Sequence, residues 1–416
     1  MRWEESGGGG LRVRGNDDHQ EASGAAGHAG HDDPGPGVPL SVQEAERFAA
    51  ADLPPEVWDF VAGGSGAELT LAANRAALDR VYLLPRVLTD VSGCSTRAQF
   101  LGSGAAMPVA IAPMAYQRLV HADGELGLAR AARAAGIPFT AGMLGSYPIE
   151  QIAAVGGDTW LQLYWLRDRG ITRELVQRAE QAGCRALMLT VDVPQLGRRI
   201  RDLRNGFAFP PDVTAANLGT AQEMPGHTSV PGASAVARHT AALFDPSLSW
   251  PDIEWLREQS TLPLILKGIL HPGDARRAAD LGLDALVVSN HGGRQLDGAA
   301  PSITALPDVC AAVGGRCEVI LDSGIRSGTD VLRALALGAS GVLLGRPALW
   351  GLARGGEIGA RQLIGLLQEE LESAMMLAGC PDVASVAALR TAMPGGPAAG
   401  GPAASGPAAG AGGGGS

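Results

Sequence analysis

Eight short apolar runs recur through the middle of the chain, each separated from the next by residues of helical periodicity. They read PVAIAPM (108–114), PFTAGML (138–144), WLQLYW (160–165), ALMLTVDV (186–193), LPLILKGI (262–269), ALVVSNHG (285–292), EVILDSGI (318–325) and GVLLGRPA (341–348). Each is short, rich in Val, Ile or Leu, and apolar at successive rather than alternate positions. A run of that kind is a strand buried on both faces, the usual condition of parallel strands. The stretches between them, such as GELGLARAARAAG (124–136), TRELVQRAEQAG (172–183), GDARRAADLG (273–282) and GTDVLRALALG (328–338), are amphipathic, and several stop at Gly. Eight strand–helix repeats are the count that closes an α/β chain into a parallel (β/α)8, or TIM, barrel. A doubly wound open sheet is the competing arrangement, but it calls for a glycine-rich GxGxxG turn after the first strand, and none is present.

The barrel domain is expected to span residues 39–393. Residues 1–38 are rich in Gly, Asp and His, and residues 394–416 are almost entirely Gly, Ala, Pro and Ser. Neither tail has enough apolar surface to offset its ordering entropy, so both are expected to be disordered. Residues 40–107 precede the first strand, and helical pieces within 54–78 are expected to flank the open end of the barrel. The longest connection, 201–250, carries Pro210, Pro211, Pro225 and Pro231; it reads as a lid, a binding loop or a partly disordered segment. The net charge of −10 argues against a nucleic-acid partner. Five scattered cysteines without a CxxC spacing read as reduced thiols. With no apolar run of about 18 residues and no leader-like segment, the expected location is cytoplasmic, without a membrane partner. His19, His28 and His31 lie in a tail that offers no scaffold for a metal, so no metal site is expected.

The polar residues of the repeats gather where the strands end. The third run ends in Gln162 and Tyr164, and the fourth in Thr190 and Asp192, followed by Arg198 and Arg199. The fifth carries Lys267, and the sixth Ser289, Asn290, His291 and Arg294. The seventh ends in Asp322 and Arg326, the eighth in Gly345 and Arg346. A core strand gains nothing by ending in unpaired charge. In a barrel all these ends converge on the C-terminal mouth, where active sites of this fold are built.

The stretches SNHGGRQLDG (289–298), LDSGIRSGTD (321–330) and ALALGASGVLLGRP (334–347) resemble the FMN-dependent 2-hydroxy acid oxidase and dehydrogenase family. The likeness continues through IAPMAYQRLVHADGE (111–125), QLYWLRDR (162–169), LTVDVPQLGRRIRDLRNGF (189–207), LILKGI (264–269) and the N-terminal segment at 62–86. AYQRL, QLYWLRD and SNHGGRQLDGA are most similar to its 4-hydroxymandelate oxidase branch. The resemblance implies oxidation of an (S)-2-hydroxy acid to a 2-oxo acid with bound FMN, and a homo-oligomer, often a tetramer.

Such chemistry needs a base, a carboxylate clamp and an electron acceptor. His291 is the candidate base, since imidazole titrates near working pH, and Asp192 is its orienting partner. A satisfied core histidine is the other reading of His291, disfavoured by the flanking Asn290, Gly292 and Gly293. Arg199 and Arg294 are candidates for the carboxylate clamp, because a guanidinium fork matches a carboxylate; Arg198 is expected to face away. Tyr164 would hydrogen-bond the substrate, or else be a core tyrosine. Lys267 suits the flavin N1 edge, where the reduced ring is anionic. Gln162, Thr190 and Ser289 offer neutral hydrogen bonds to the ring, and Pro113, Met114 and Ala115 resemble the family segment whose backbone lies against it. Asp322, Ser323, Gly324, Arg326, Gly345 and Arg346, in the last two βα loops, are expected to hold the phosphate.

Three departures bear on substrate and cofactor. Phe60 stands where glycolate-type members carry a tyrosine, and Leu144 where they often carry a tryptophan. Both favour an aryl acid such as mandelate or 4-hydroxymandelate. Gly142 replaces a Ser or Thr near the flavin. A dehydrogenase relative reaches quinone through an apolar insertion in the loop after the fourth strand; 207–250 has no long apolar run and Ala115 resembles the oxidase pattern, so the resemblance favours O2 as electron acceptor, with hydrogen peroxide as product, over a quinone- or carrier-linked dehydrogenase. Turnover of a peptide-derived or natural-product acid, a flavin-binding protein without turnover, and a flavin-free barrel for phosphate-bearing substrates are the competing readings.

Overall fold

The computed structural model describes residues 37–218 and 235–392. The eight apolar runs are the strands of a closed parallel barrel: β1 (Val109–Met114), β2 (Phe139–Gly142), β3 (Thr159–Leu163), β4 (Ala186–Thr190), β5 (Leu264–Ile269), β6 (Ala285–Val288), β7 (Glu318–Leu321) and β8 (Gly341–Leu344). They stand around the barrel in chain order, and β8 closes onto β1 with Val342 opposite Val109. Alternate residues go to different layers, the period-two rule of a strand. Along β1, Val109 and Ile111 join the large core under the helices, while Ala110 and Ala112 join a second cluster with Trp160, Met188, Ile265, Val287, Ile320 and Leu343. That second cluster is the barrel interior. Both faces of each strand are therefore apolar because both are buried.

The N-terminal end of the barrel is plugged by the hairpin Ala98–Phe100/Ser103–Ala105. Phe100 is fully buried and meets Trp160 edge-on, with ring centroids 5.9 Å apart. Gly341 opens β8 beneath it, where a Cβ would come within 2.4 Å of the Phe100 ring. Helices cover the outside, with local signals at their starts: Ser327 accepts the Asp330 N–H, Asp168 the Gly170 N–H, and Ser249 and Asp252 form a reciprocal capping box.

Among the described residues three helices precede the barrel: α1 (Val42–Asp52), α2 (Pro55–Ala62) and α3 (Leu69–Asp79). As 54–78 led one to expect, α2 and α3 sit at the C-terminal mouth. Asp297, in the loop after β6, accepts the Ala67 and Thr70 N–H groups at 2.8 and 3.0 Å, and Gly293 O accepts the Ser65 N–H. Part of the long connection is ordered against the mouth. Ile200–Asn205 is a helix, Phe207, Phe209 and Val213 are buried, and a second helix, Ala235–Leu243, returns the chain toward the barrel. Pro225 and Pro231 lie outside the described residues, as do His19, His28 and His31 and the two terminal tails. All five cysteines are free. No helix among the described residues is long and apolar enough to cross a membrane.

Candidate active site

The C-terminal strand ends surround a cavity with about 1230 Å³ of open space, including the part continuous with solvent. The charge of its wall is the reverse of the chain's. Arg199, Lys267, Arg294, Arg326 and Arg346 line it, with Asp322 as the lining carboxylate. Of the residues given a role in the sequence, Asp192, Gln162, Thr190 and Ser289 do not line the cavity, nor do Asn290 and Gly142; His291, Tyr164, Lys267, Arg199, Arg294, the 113–115 segment and the phosphate residues do. Asp192 and Ser289 hydrogen-bond residues that do line it.

His291 follows β6 in a left-handed conformation, φ +59°, and Gly292 and Gly293 continue in the same region. This conformation is costly for a residue with a Cβ, and the turn around it holds it in place. Gly293 is required for a second reason: a Cβ there would lie 2.6 Å from the Leu71 backbone of α3. Nδ1 of His291 lies 3.0 Å from Oδ1 of Asp192, at the end of β4. Burial works against ionisation of Asp192, but His291 and Lys267 outweigh it and hold the carboxyl below its ordinary range. A carboxylate accepts, so Nδ1 carries the proton and Nε2 keeps a lone pair. Burial holds the imidazole itself below its usual pKa, partly opposed by Asp192, so the free base is the resting form at neutral pH. Gln295 braces the aspartate, donating to the Asp192 and Gln195 carbonyls, both at 2.9 Å. Gly268, φ +113°, lets it approach β5: a Cβ would sit 2.6 Å from that of Asp192.

Lys267 is buried, and its ammonium lies 3.0 Å from both the Asp322 carboxylate and the Ser289 hydroxyl. Burial alone would lower its pKa, but Asp322 and Asp192 raise it above the usual lysine value. The lysine is a fixed cation. Asp322, grouped in the sequence with the phosphate residues, directs its carboxylate at Lys267 and accepts the Ser323 hydroxyl at 2.7 Å. The Ser289 hydroxyl also accepts the His291 N–H at 3.0 Å, so one serine ties the lysine to the histidine turn. Gln162 donates to the Thr190 hydroxyl at 3.0 Å, a cross-strand pair beneath the cavity.

The arginines divide by partner. Arg199 is buried, its guanidinium stands 5.7 Å from the centre of the Phe60 ring, and its Nε meets no hydrogen-bond partner among the described residues. Arg294 stands 5.3 Å from the same ring and gives one nitrogen to the carbonyls of Phe60 and Gly63, at 2.7 and 2.9 Å. Arg346 donates from all three nitrogens to the Val61, Gly292 and Gly63 carbonyls, tying the end of α2 to the mouth. Arg326 lies over the Trp350 ring at 4.7 Å. Burial pushes Arg326 down to about 10; burial and the neighbouring Arg326 and Arg199 push Arg346 down to about 9. Cations held this close call for an anion. Beside them Ser323 and Gly324 turn the chain with φ +75° and +106°, and Gly345 opens the helix Arg346–Ala378. A helix start, a left-handed turn and two arginines suit a phosphate, and Lys267 suits the anionic edge of a reduced flavin. The residues present fit FMN. Arg198 is exposed, as expected.

The remaining wall is aromatic, and sequence reading left most of it unassigned. Phe60 stacks on Phe207 at 4.6 Å and meets Phe209 at 5.9 Å, and Phe209 packs on Tyr116 at 4.2 Å. Tyr164 stacks on Phe244 at 4.5 Å. Phe60, Leu144, Tyr116, Tyr164 and Phe244 line the cavity. A sequence signal existed for Tyr116, an aromatic residue just past a strand end. Phe207, Phe209 and Phe244 lie in the long connection, where no periodicity points to a site. At Gly142 a Cβ would lie 3.3 Å from the Met114 carbonyl, so a side chain there would press on the backbone of the first strand.

A family model, FMN-dependent dehydrogenase, matches residues 49–391. The chain is 55% identical over 354 residues to the 4-hydroxymandelate oxidase of Amycolatopsis orientalis, covering 85% of this chain and 98% of the relative. It is 48% identical over 353 residues to an L-lactate oxidase of a Nostoc species, covering 84% and 96%. Among solved structures, a mandelate oxidase crystallised with (S)-4-hydroxymandelic acid superposes with a TM-score of 0.84 at 54% identity, over 85% of this chain and 99% of that one. The likeness thus takes in the whole barrel and its preceding helices, and the chain is an enzyme of the FMN-dependent 2-hydroxy acid oxidase family.

Proposed function

We propose that the enzyme oxidises an (S)-2-hydroxy acid with an aryl side chain, mandelate or 4-hydroxymandelate, to the 2-oxo acid, and passes the electrons to O2 to give hydrogen peroxide. The supporting observation is the division of one cavity: a cationic end with a half-buried imidazole, and an aromatic end built on Phe60 and Tyr116. Bound FMN supplies the two-electron acceptor. Arg199 and Arg294 hold the substrate carboxylate, and Tyr164 donates a hydrogen bond to it or to the hydroxyl. His291 takes the hydroxyl proton on Nε2, and Asp192 stabilises the imidazolium that results. Lys267, its charge balanced by Asp322, would hold the flavin at its N1 edge. Pro113, Met114 and Ala115 would hold the flavin ring through their backbone, and Gln162, Thr190 and Ser289 would offer hydrogen bonds to its polar edge. Ser323, Gly324, Arg326, Gly345 and Arg346 would hold its phosphate.

Phe60 and Leu144 favour the aryl class, because neither offers a polar group to a small acid and Leu144 leaves more room than a tryptophan. The named relatives include an enzyme for 4-hydroxymandelate and one for lactate, so substrate choice is the point to test. The yellow protein is mixed anaerobically with mandelate, 4-hydroxymandelate, lactate and glycolate, and air is then readmitted. Rapid bleaching by the aryl acids, with recovery of colour and one peroxide per cycle in air, is expected. Faster bleaching by glycolate or lactate overturns the aryl assignment, and recovery only with a quinone overturns O2 as acceptor.

A further inference from the structure

Tyr116 lines the cavity yet takes no part in the chemistry above. It follows β1 in a left-handed conformation, φ +54°. Its N–H donates to the Leu144 carbonyl at 3.0 Å. A non-glycine residue in this conformation is uncommon, and it sends the side chain where an extended strand end would not. Only 2% of the residue is exposed, and its hydroxyl meets no hydrogen-bond partner among the described residues. Buried tyrosine hydroxyls usually find one. Burial, reinforced by the nearby Tyr164, pushes this phenol above its ordinary range, so it stays a neutral group able to donate and accept.

The surroundings say what such a group would meet. From the arginines at the cationic end, ring contacts run continuously: Arg199 and Arg294 over Phe60, Phe60 against Phe209, and Phe209 against Tyr116. Phe60 and Tyr116 line the cavity, with Phe209 behind them, so a substrate held by its carboxylate at the two arginines would project its side chain toward them. From the unpartnered buried hydroxyl at the end of the wall we infer that Tyr116 is a specificity-determining residue, hydrogen-bonding a hydroxyl on the far side of the substrate's aryl ring and so selecting 4-hydroxymandelate over mandelate. This rests on the aryl assignment proposed above and goes one step further, to the ring substituent. A site with a buried polar group discriminates strongly against a substrate that leaves it unpaired.

The test is a ratio of kcat/KM values in the FMN-loaded enzyme. In the wild type, 4-hydroxymandelate is expected to exceed both mandelate and 4-methylmandelate, which matches its shape without the hydroxyl, by about tenfold or more. In Tyr116→Phe the ratio of 4-hydroxymandelate to mandelate is expected to fall to within about twofold of one, whatever the absolute rates. An unchanged ratio in the variant overturns the inference, as does a wild-type enzyme that treats 4-methylmandelate and 4-hydroxymandelate alike; the latter needs no variant to fold. If none of the aryl acids reduces the flavin while lactate or glycolate does, the failure lies in the aryl assignment instead.

Discussion

The two ends of the cavity are built differently. The cationic end comes from the tips of consecutive strands. Asp192, Lys267, His291 and Asp322 follow one another from β4 to β7, and short contacts join them: 3.0 Å from His291 to Asp192, and 3.0 Å from Lys267 to Asp322 and to Ser289. The aromatic end comes from segments far apart in the chain: α2 with Phe60, the turn after β1 with Tyr116, and the long connection with Phe207, Phe209 and Phe244. One is a rigid polar array anchored in the barrel, the other a set of ring contacts assembled over its mouth. The first suits chemistry common to a whole family; the second is free to change with the acid being oxidised.

The sharpest way to break that division is His291→Ala. If the cationic end carries the reaction, anaerobic flavin reduction by any accepted acid slows about 10³-fold or more, followed by stopped-flow absorbance at the flavin band. A loss under tenfold would mean that the base lies elsewhere.

Next in size is Asp192→Asn, with an expected loss of about 10²-fold in kcat/KM and a shift in pH dependence. The His291 imidazole must be neutral to act. Burial places its pKa below the ordinary 6.5, so the wild-type acidic limb of kcat/KM lies below that value, with activity lost as pH falls through it. Asp192 raises the pKa of His291; its removal moves the limb to still lower pH. A limb that stays in place would separate the pH dependence from this pair.

The smallest effect belongs to the aromatic end. Leu144→Trp narrows the space beside Tyr116 and is expected to lower the ratio of kcat/KM for mandelate over lactate by about tenfold, while both acids still reduce the flavin. An equal loss on both would show that the two ends of the cavity are not separable.

Much of the fold was legible because parallel strands leave a plain mark. A run apolar on both faces occurs eight times, and all eight became barrel strands. The polar strand ends were legible for the same reason, since Lys267 after LPLIL has no place in a core unless it serves a site. The partner of each charge was less visible. Asp322 read as a phosphate neighbour because it precedes Ser323 and Gly324, and only the closure of β5, β6 and β7 side by side put its carboxylate on Lys267. Arg294 and Arg346 read as anion binders, and the structure adds that both also pin the backbone of α2. Phe207, Phe209 and Phe244 carried no signal, because nothing local marks a loop aromatic as lining or backing a cavity.

The sequence by itself determined the barrel, the cluster of polar groups at its mouth and the residue types available for hydroxy-acid oxidation. All of these follow from patterns within a few residues of each other: strand length, two-sided burial and the charge that ends the run. Tertiary structure decided which carboxylate meets which cation, and which rings form the wall opposite the base. Those contacts join residues up to a few hundred positions apart, and their geometry exists only once the strands have closed and the N-terminal helices have docked on the mouth.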